Sequence, residues 1–125
     1  VSRRERTEHG EAVALMRVVR LHEARWPELR LLYAIPNGGD RHPVVAAKMR
    51  AEGVRAGVPD YCLPVPRGGY HGLYVELKTP TGYPSREQRA WIAALREQGY
   101  RAEVCRGWAA AWDVIRDYLT TEGTK

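Results

Sequence analysis

The chain has 125 residues, 44% of them hydrophobic and 28% charged, with a net charge of +5. That size and balance describe one globular domain with a real core, spanning 1–125 and ordered over about 7–119, and exclude a disordered or fibrous chain. Cys62 and Cys105 are the only cysteines and form no C-x-x-C pair, which argues against a zinc site or disulfide framework and for two buried free thiols. No apolar run nears the ~18 residues of a membrane span, and the N-terminal VSRRERTEHGE lacks a signal-peptide apolar region. A cytoplasmic location without membrane contact is expected.

Ala12, Leu15, Met16 and Val19 follow helical spacing from Glu8 to Glu23, with Thr7 as N-cap. LRLLYAIPN predicts a strand ended by Pro36 and the turn NGGD. HPVVAAKMRAEG predicts a short helix, with Pro43 in its first turn and Gly53 after its end. A short strand follows from about Pro59, limited by Pro64 and Pro66. The turn RGGYHG then leads into LYVELKTP, which should be its antiparallel neighbour. SREQRAWIAALREQG carries a capping box, Ser85 with Gln88, and a C-terminal glycine, Gly99. Trp91, Ile92 and Leu95 make its buried stripe. YRAEVCR is a further strand, and WAAAWDVIRDYL closes the order as a helix with Trp108, Ala111, Trp112, Ile115 and Leu119 on one face. Helices and strands alternating in this way predict an α/β layered domain with a small mixed sheet flanked by helices.

The central strand poses a chemical question. Leu73, Val75 and Leu77 share one face, so Glu76 and Lys78 point together from the other, with Tyr74. The hairpin folds Asp60 towards Glu76. Two carboxylates so close repel each other unless a cation lies between them. A divalent ion with hard oxygen ligands, Mg²⁺ or Mn²⁺, resolves the repulsion and can activate water at a phosphoryl centre, where Lys78 would offset developing negative charge. A solvated strand face with an i, i+2 charge pair is the plainer alternative.

Pro59-Asp60, fifteen intervening residues, then Glu76-Leu77-Lys78 resembles the PD-(D/E)xK nuclease signature. IPNGG, KMRAEGVRAGVPDYCLPVP and GLYVELKTPTGYPSREQRAWIAALREQGY resemble the VRR-Nuc family, virus-type replication and repair nucleases, in a short, stand-alone, phage-type form. The resemblance spans about Glu8 to Leu119. It implies a restriction-endonuclease-like αβββαβ core. It also implies a metal-dependent endonuclease acting on structured or branched DNA, like a Holliday-junction resolvase, in replication, recombination or repair in a bacterial or phage-infected cell. Such members work as homodimers.

Carried onto this chain, the resemblance makes Asp60 and Glu76 metal ligands and Lys78 the catalytic lysine, with the Leu77 main-chain carbonyl also reaching the metal. Either Glu8 or Glu11 is the first-helix glutamate. Members often carry a glutamine shortly after it, but Ala12 follows Glu11 here, which leaves the register open. Gln88 matches a glutamine that follows the catalytic strand, although the capping box alone accounts for it. Asn37, Arg41, Lys48, Arg50, Arg55 and Arg67 are the candidate DNA-backbone contacts, each singly compatible with ordinary surface charge. The competing reading is a catalytically weak, structure-specific DNA-binding module on the same fold. The joint presence of Asp60, Glu76 and Lys78 argues against it.

Overall fold

A computed structural model of the protein describes residues 7–36 and 42–121. The first helix, α1, spans Glu8–Leu21, and Thr7 caps it by accepting the Gly10 N–H at 2.9 Å. Leu15 and Val19 are buried, with Ala12 and Met16 packed beside them. The expected strand over LRLLYAIPN shrinks to two residues, β1, Tyr33–Ala34, preceded by a 3-10 turn over Pro27–Leu31. Burial shows why. Leu29 and Leu32 are buried while Leu31 is exposed, a period of three rather than two. Pro27, whose ring fixes a helical φ, starts that turn.

The remaining elements fall where the sequence predicts them: α2, Pro43–Ala51; β2, Tyr61–Leu63; β3, Leu73–Lys78; α3, Arg86–Glu97; β4, Arg101–Arg106; and α4, Trp108–Thr120. The sheet order is β1-β2-β3-β4. The first three strands are antiparallel, and β3 pairs with β4 in parallel through the α3 crossover. The protein is therefore a mixed α/β fold, a four-stranded sheet flanked by helices.

One face of the sheet carries the main core. Leu15 and Val19 of α1 and Ala111, Trp112, Ile115 and Leu119 of α4 pack on Tyr61, Leu63, Leu73, Val75 and Leu77. A smaller cluster sits under α3, where Ile92 and Leu95 meet Ala102 with Tyr74, Trp91, Tyr100 and Val104 around them. Trp108, expected in the core, is 38% exposed; its main-chain N–H has a separate role in the site region. Cys62 and Cys105 are buried and free, and burial pushes the Cys105 thiol up to about 12. Helix α2 buries none of its side chains. No helix among the described residues is long and apolar enough to cross a membrane.

Candidate active site

The antiparallel register that pairs Tyr61 with Val75 sets Asp60, one residue earlier, opposite Glu76. The Asp60 carbonyl still accepts from Ile35 N–H at 2.7 Å, so its backbone remains tied to the β1 side. Its side chain turns the other way. Asp60 Oδ2 accepts the Leu77 N–H at 2.7 Å, so a carboxylate takes the place of a main-chain partner at the end of the ladder. Burial raises the Asp60 pKa, and the Leu77 N–H works against that rise.

Glu76 is 1% exposed, and its Oε1 has no hydrogen-bond partner. Burial first, then the charge of Asp60, pushes its pKa up to about 8, with Lys78 opposing the shift. A carboxylate placed so is held in its charged form only by a nearby cation. Lys78 supplies part of one. Its Nζ lies 3.7 Å from Glu76 Oε2 and 3.5 Å from Glu8 Oε2, so its stem links the strand to the first turn of α1.

Glu8 and Glu11 sit one turn apart on α1 but serve different ends. Glu8 is exposed and faces Lys78, and it lines an open cavity of about 240 Å³ together with Asp60 and Leu77. Glu11 is buried, and its Oε1 accepts the N–H of Trp108, the first residue of α4, at 2.8 Å. The N-cap of α4 is Gly107, which has no side chain to satisfy that donor. Glu11 thus caps a helix from across the fold, while Glu8 is the acid of α1 that faces Lys78.

The donor set suits a small hard cation. Asp60, Glu76 and the Leu77 carbonyl offer oxygen atoms only, and the orphaned Glu76 Oε1 is an unfilled acceptor. Among the described residues no three His, Cys, Asp or Glu side chains are gathered to hold an ion by themselves. Mg²⁺ does not need such a cage, since it keeps several waters and commonly uses one or two carboxylates.

Gln88 is spent on the capping box: its Oε1 accepts from Ser85 N–H at 2.7 Å, and its own N–H donates to Ser85 Oγ at 3.1 Å. Arg67 pairs with Glu28 at 2.6 Å and donates to the Pro66 carbonyl. It sits beyond the Leu63–Leu73 pair, about 13 Å or more along the strands from Leu77, so the hairpin carries it away from the site. Lys48, Arg50 and Arg55 are exposed on and after α2. Asn37 and Arg41 lie outside the described residues.

Two features escaped the sequence reading. Tyr83, 77% exposed, lies under the Arg106 guanidinium at 4.5 Å, and Arg106 Nε donates to the Gly82 carbonyl at 2.9 Å. Arg106 is the parallel partner of Lys78, so this stacked pair borders the lysine. No local pattern marks it, because the stacking joins a loop to a later strand. The second feature is a pair of arginines, Arg17 and Arg20, on the α1 flank that continues from the site; the helical period of α1 was the signal available for them.

The VRR-NUC domain model matches residues 8–109, from Glu8 through the start of α4. The chain belongs to the VRR-NUC family. Its fold is also similar to a solved "VRR_NUC domain protein", with 29% sequence identity, a TM-score of 0.74 and coverage of 90% of each chain. No curated protein matches the chain. VRR-NUC is a nuclease-type domain, and the Asp60–Glu76–Lys78 cluster lies within the matched segment.

Proposed function

We propose that this VRR-NUC protein is a metal-dependent endonuclease that hydrolyses phosphodiester bonds in branched or otherwise structured DNA. The observation that carries this reading is Glu76: a buried carboxylate opposite Asp60, with one oxygen unpartnered and Lys78 beside it. Mg²⁺ or Mn²⁺, when bound, supplies charge at a phosphoryl oxygen and acidifies water. Asp60, Glu76 and the Leu77 carbonyl would hold it, with Glu8 completing the set from α1.

The chain's own contribution is positioning and charge. Asp60 is fixed by the Leu77 N–H, so its second oxygen is aimed by the strand rather than by a free rotamer. Lys78, held between Glu8 and Glu76, orients the attacking water or meets negative charge as it develops on the phosphate. The wall formed by Ile35, Ala34 and Tyr61 closes one side of the Glu8–Asp60 cavity. Cutting two strands of a junction in concert calls for two such sites, hence a homodimer, a state that light scattering on the purified protein would report.

The test is cleavage of end-labelled four-way junction, flap, gapped and linear duplex DNA with Mg²⁺, Mn²⁺ or EDTA. Metal-dependent cutting by the intact protein, absent in Asp60→Asn, is expected. Lys78→Ala should fold normally and lose roughly 10²-fold or more in turnover. Tight binding to a branched substrate without cutting in either metal would instead identify a binding module on the nuclease fold.

A further inference from the structure

The cavity at Glu8 and Asp60 does not end there. A second opening of about 270 Å³ lies further along α1 and shares three wall residues with the first, His9, Ala12 and Tyr61. Joined at those walls, the two make one trough, running from Glu8 and Asp60 along the exposed flank of the helix. Its far half is lined by Val13, Met16, Arg17 and Arg20.

The charges along it are graded. The near end carries Glu8 and Asp60, and the far end carries two guanidinium groups. Arg67, Arg89, Arg96, Arg101, Arg106 and Arg116 all spend hydrogen bonds inside the protein. Arg17 and Arg20 are exposed and have no hydrogen-bond or ion-pair partner among the described residues. The charge of Arg20 reaches the Tyr61 phenol, which lines the same opening. Between the arginines and the carboxylates the lining is mostly apolar, with Ala12, Val13, Met16 and the Tyr61 ring beside one imidazole, His9.

We propose that this trough seats the sugar–phosphate backbone of the substrate DNA strand on one side of the scissile bond, with Arg17 and Arg20 taking its phosphates. The inference rests on the nuclease reading of the Asp60–Glu76 site and adds a direction to it. Arg17 and Arg20 lie 9 and 12 residues beyond Glu8 on α1, about 13 and 18 Å at the helical rise. A strand advances at least the axial rise of about 3.4 Å per nucleotide, so the phosphates they meet lie within about five nucleotides of the cut. The apolar side chains between suit deoxyribose faces, with His9 and the Tyr61 hydroxyl as the polar groups among them. Contacts to phosphate position a strand and carry no sequence information, so Arg17 and Arg20 contribute affinity and placement.

The experiment is fluorescence anisotropy of labelled junction and duplex DNA with the full chain in EDTA, across a salt series, so that binding is read without cleavage. Arg17→Ala/Arg20→Ala is compared with the intact protein and with Arg116→Ala, a change on the outer face of α4. The double variant is expected to lose at least tenfold in affinity near physiological salt. It should also flatten the log–log salt slope by roughly 1.5, the release of two phosphate contacts. Removing five nucleotides from the matching side of the substrate should weaken the intact protein and change the double variant little. Intact-like affinity and slope in the double variant, with clear binding by the intact protein, would overturn the trough and leave the nuclease reading standing. Absence of DNA binding by the intact protein would overturn the trough, and absence of metal-dependent cleavage as well would overturn both.

Discussion

Glu76 has the burial of a core leucine and the charge of a ligand. Opposed carboxylates in a dry site favour proton uptake or a cation, and neither comes from the apolar packing around them. Removing the charge while keeping the shape should therefore separate fold from function. Near neutral pH, above the range where an unfolded glutamate ionises, Glu76→Gln is expected to abolish cleavage and to raise metal-free stability by about 1 kcal/mol, a few degrees in melting temperature, a gain that vanishes below about pH 4. Calorimetry in EDTA beside the cleavage assay measures both, and a lowered melting temperature would show that the buried carboxylate does not weaken the metal-free fold. The two acids of α1 make a matched pair of probes. Glu11→Ala strips the cap from α4 and should cost about 1–2 kcal/mol while the folded fraction still cleaves. Glu8→Ala should leave the melting temperature near its starting value and depress cleavage. Exchange of those two outcomes would reverse the assignment.

Among the elements, β3 and α3 were legible in the sequence because their signals are local. Alternation marks Leu73–Lys78, and the Ser85–Gln88 box with Gly99 marks both ends of α3. The first strand was misread because Leu29, Leu31 and Leu32 look like a β run until Pro27 is given its weight as a turn starter. Asp60, Glu76 and Lys78 could be named because one short hairpin joins them. Glu11 could not be sorted from Glu8, because its partner, Trp108, is remote in sequence. The segment leading into Asp60 adds a contact of the same non-local kind. Gly57 has φ +91°, and a Cβ there would stand 2.7–2.8 Å from backbone and Cβ atoms of Glu87, in the first turn of α3. Gly57→Ala should destabilise by about 1–3 kcal/mol. It should also reduce cleavage beyond the loss of folded protein, since Asp60 follows three residues later; a normal rate per folded molecule would show that the loop absorbs the change.

At the scale of the whole molecule, order is unevenly distributed. Strand β3 is covered by α1 and α4 on one face and by the α3 cluster on the other, while the C-terminal helix is tied back to the hairpin by the Tyr118 hydroxyl, which donates to the Val65 carbonyl. Hydrophobic contact and hydrogen bonding both converge on the strand that presents Glu76 and Lys78. Helix α2 stands outside this arrangement, with Val44 62% and Val45 45% exposed and no buried side chain. That difference amounts to a map of vulnerability to proteases. A helix anchored by so little opens at small free-energy cost, and a protease samples the open form. Brief trypsin digestion should nick the chain first after Lys48, Arg50 or Arg55, well before Arg101 in β4, and mass spectrometry of the first fragments would reveal the order. Strands β2 to β4, with Asp60 and Glu76, would then lie on one side of the cut, and α1 with Glu8 and the edge strand β1 on the other, held to them only by noncovalent contacts, the core packing and the β1–β2 pairing among them.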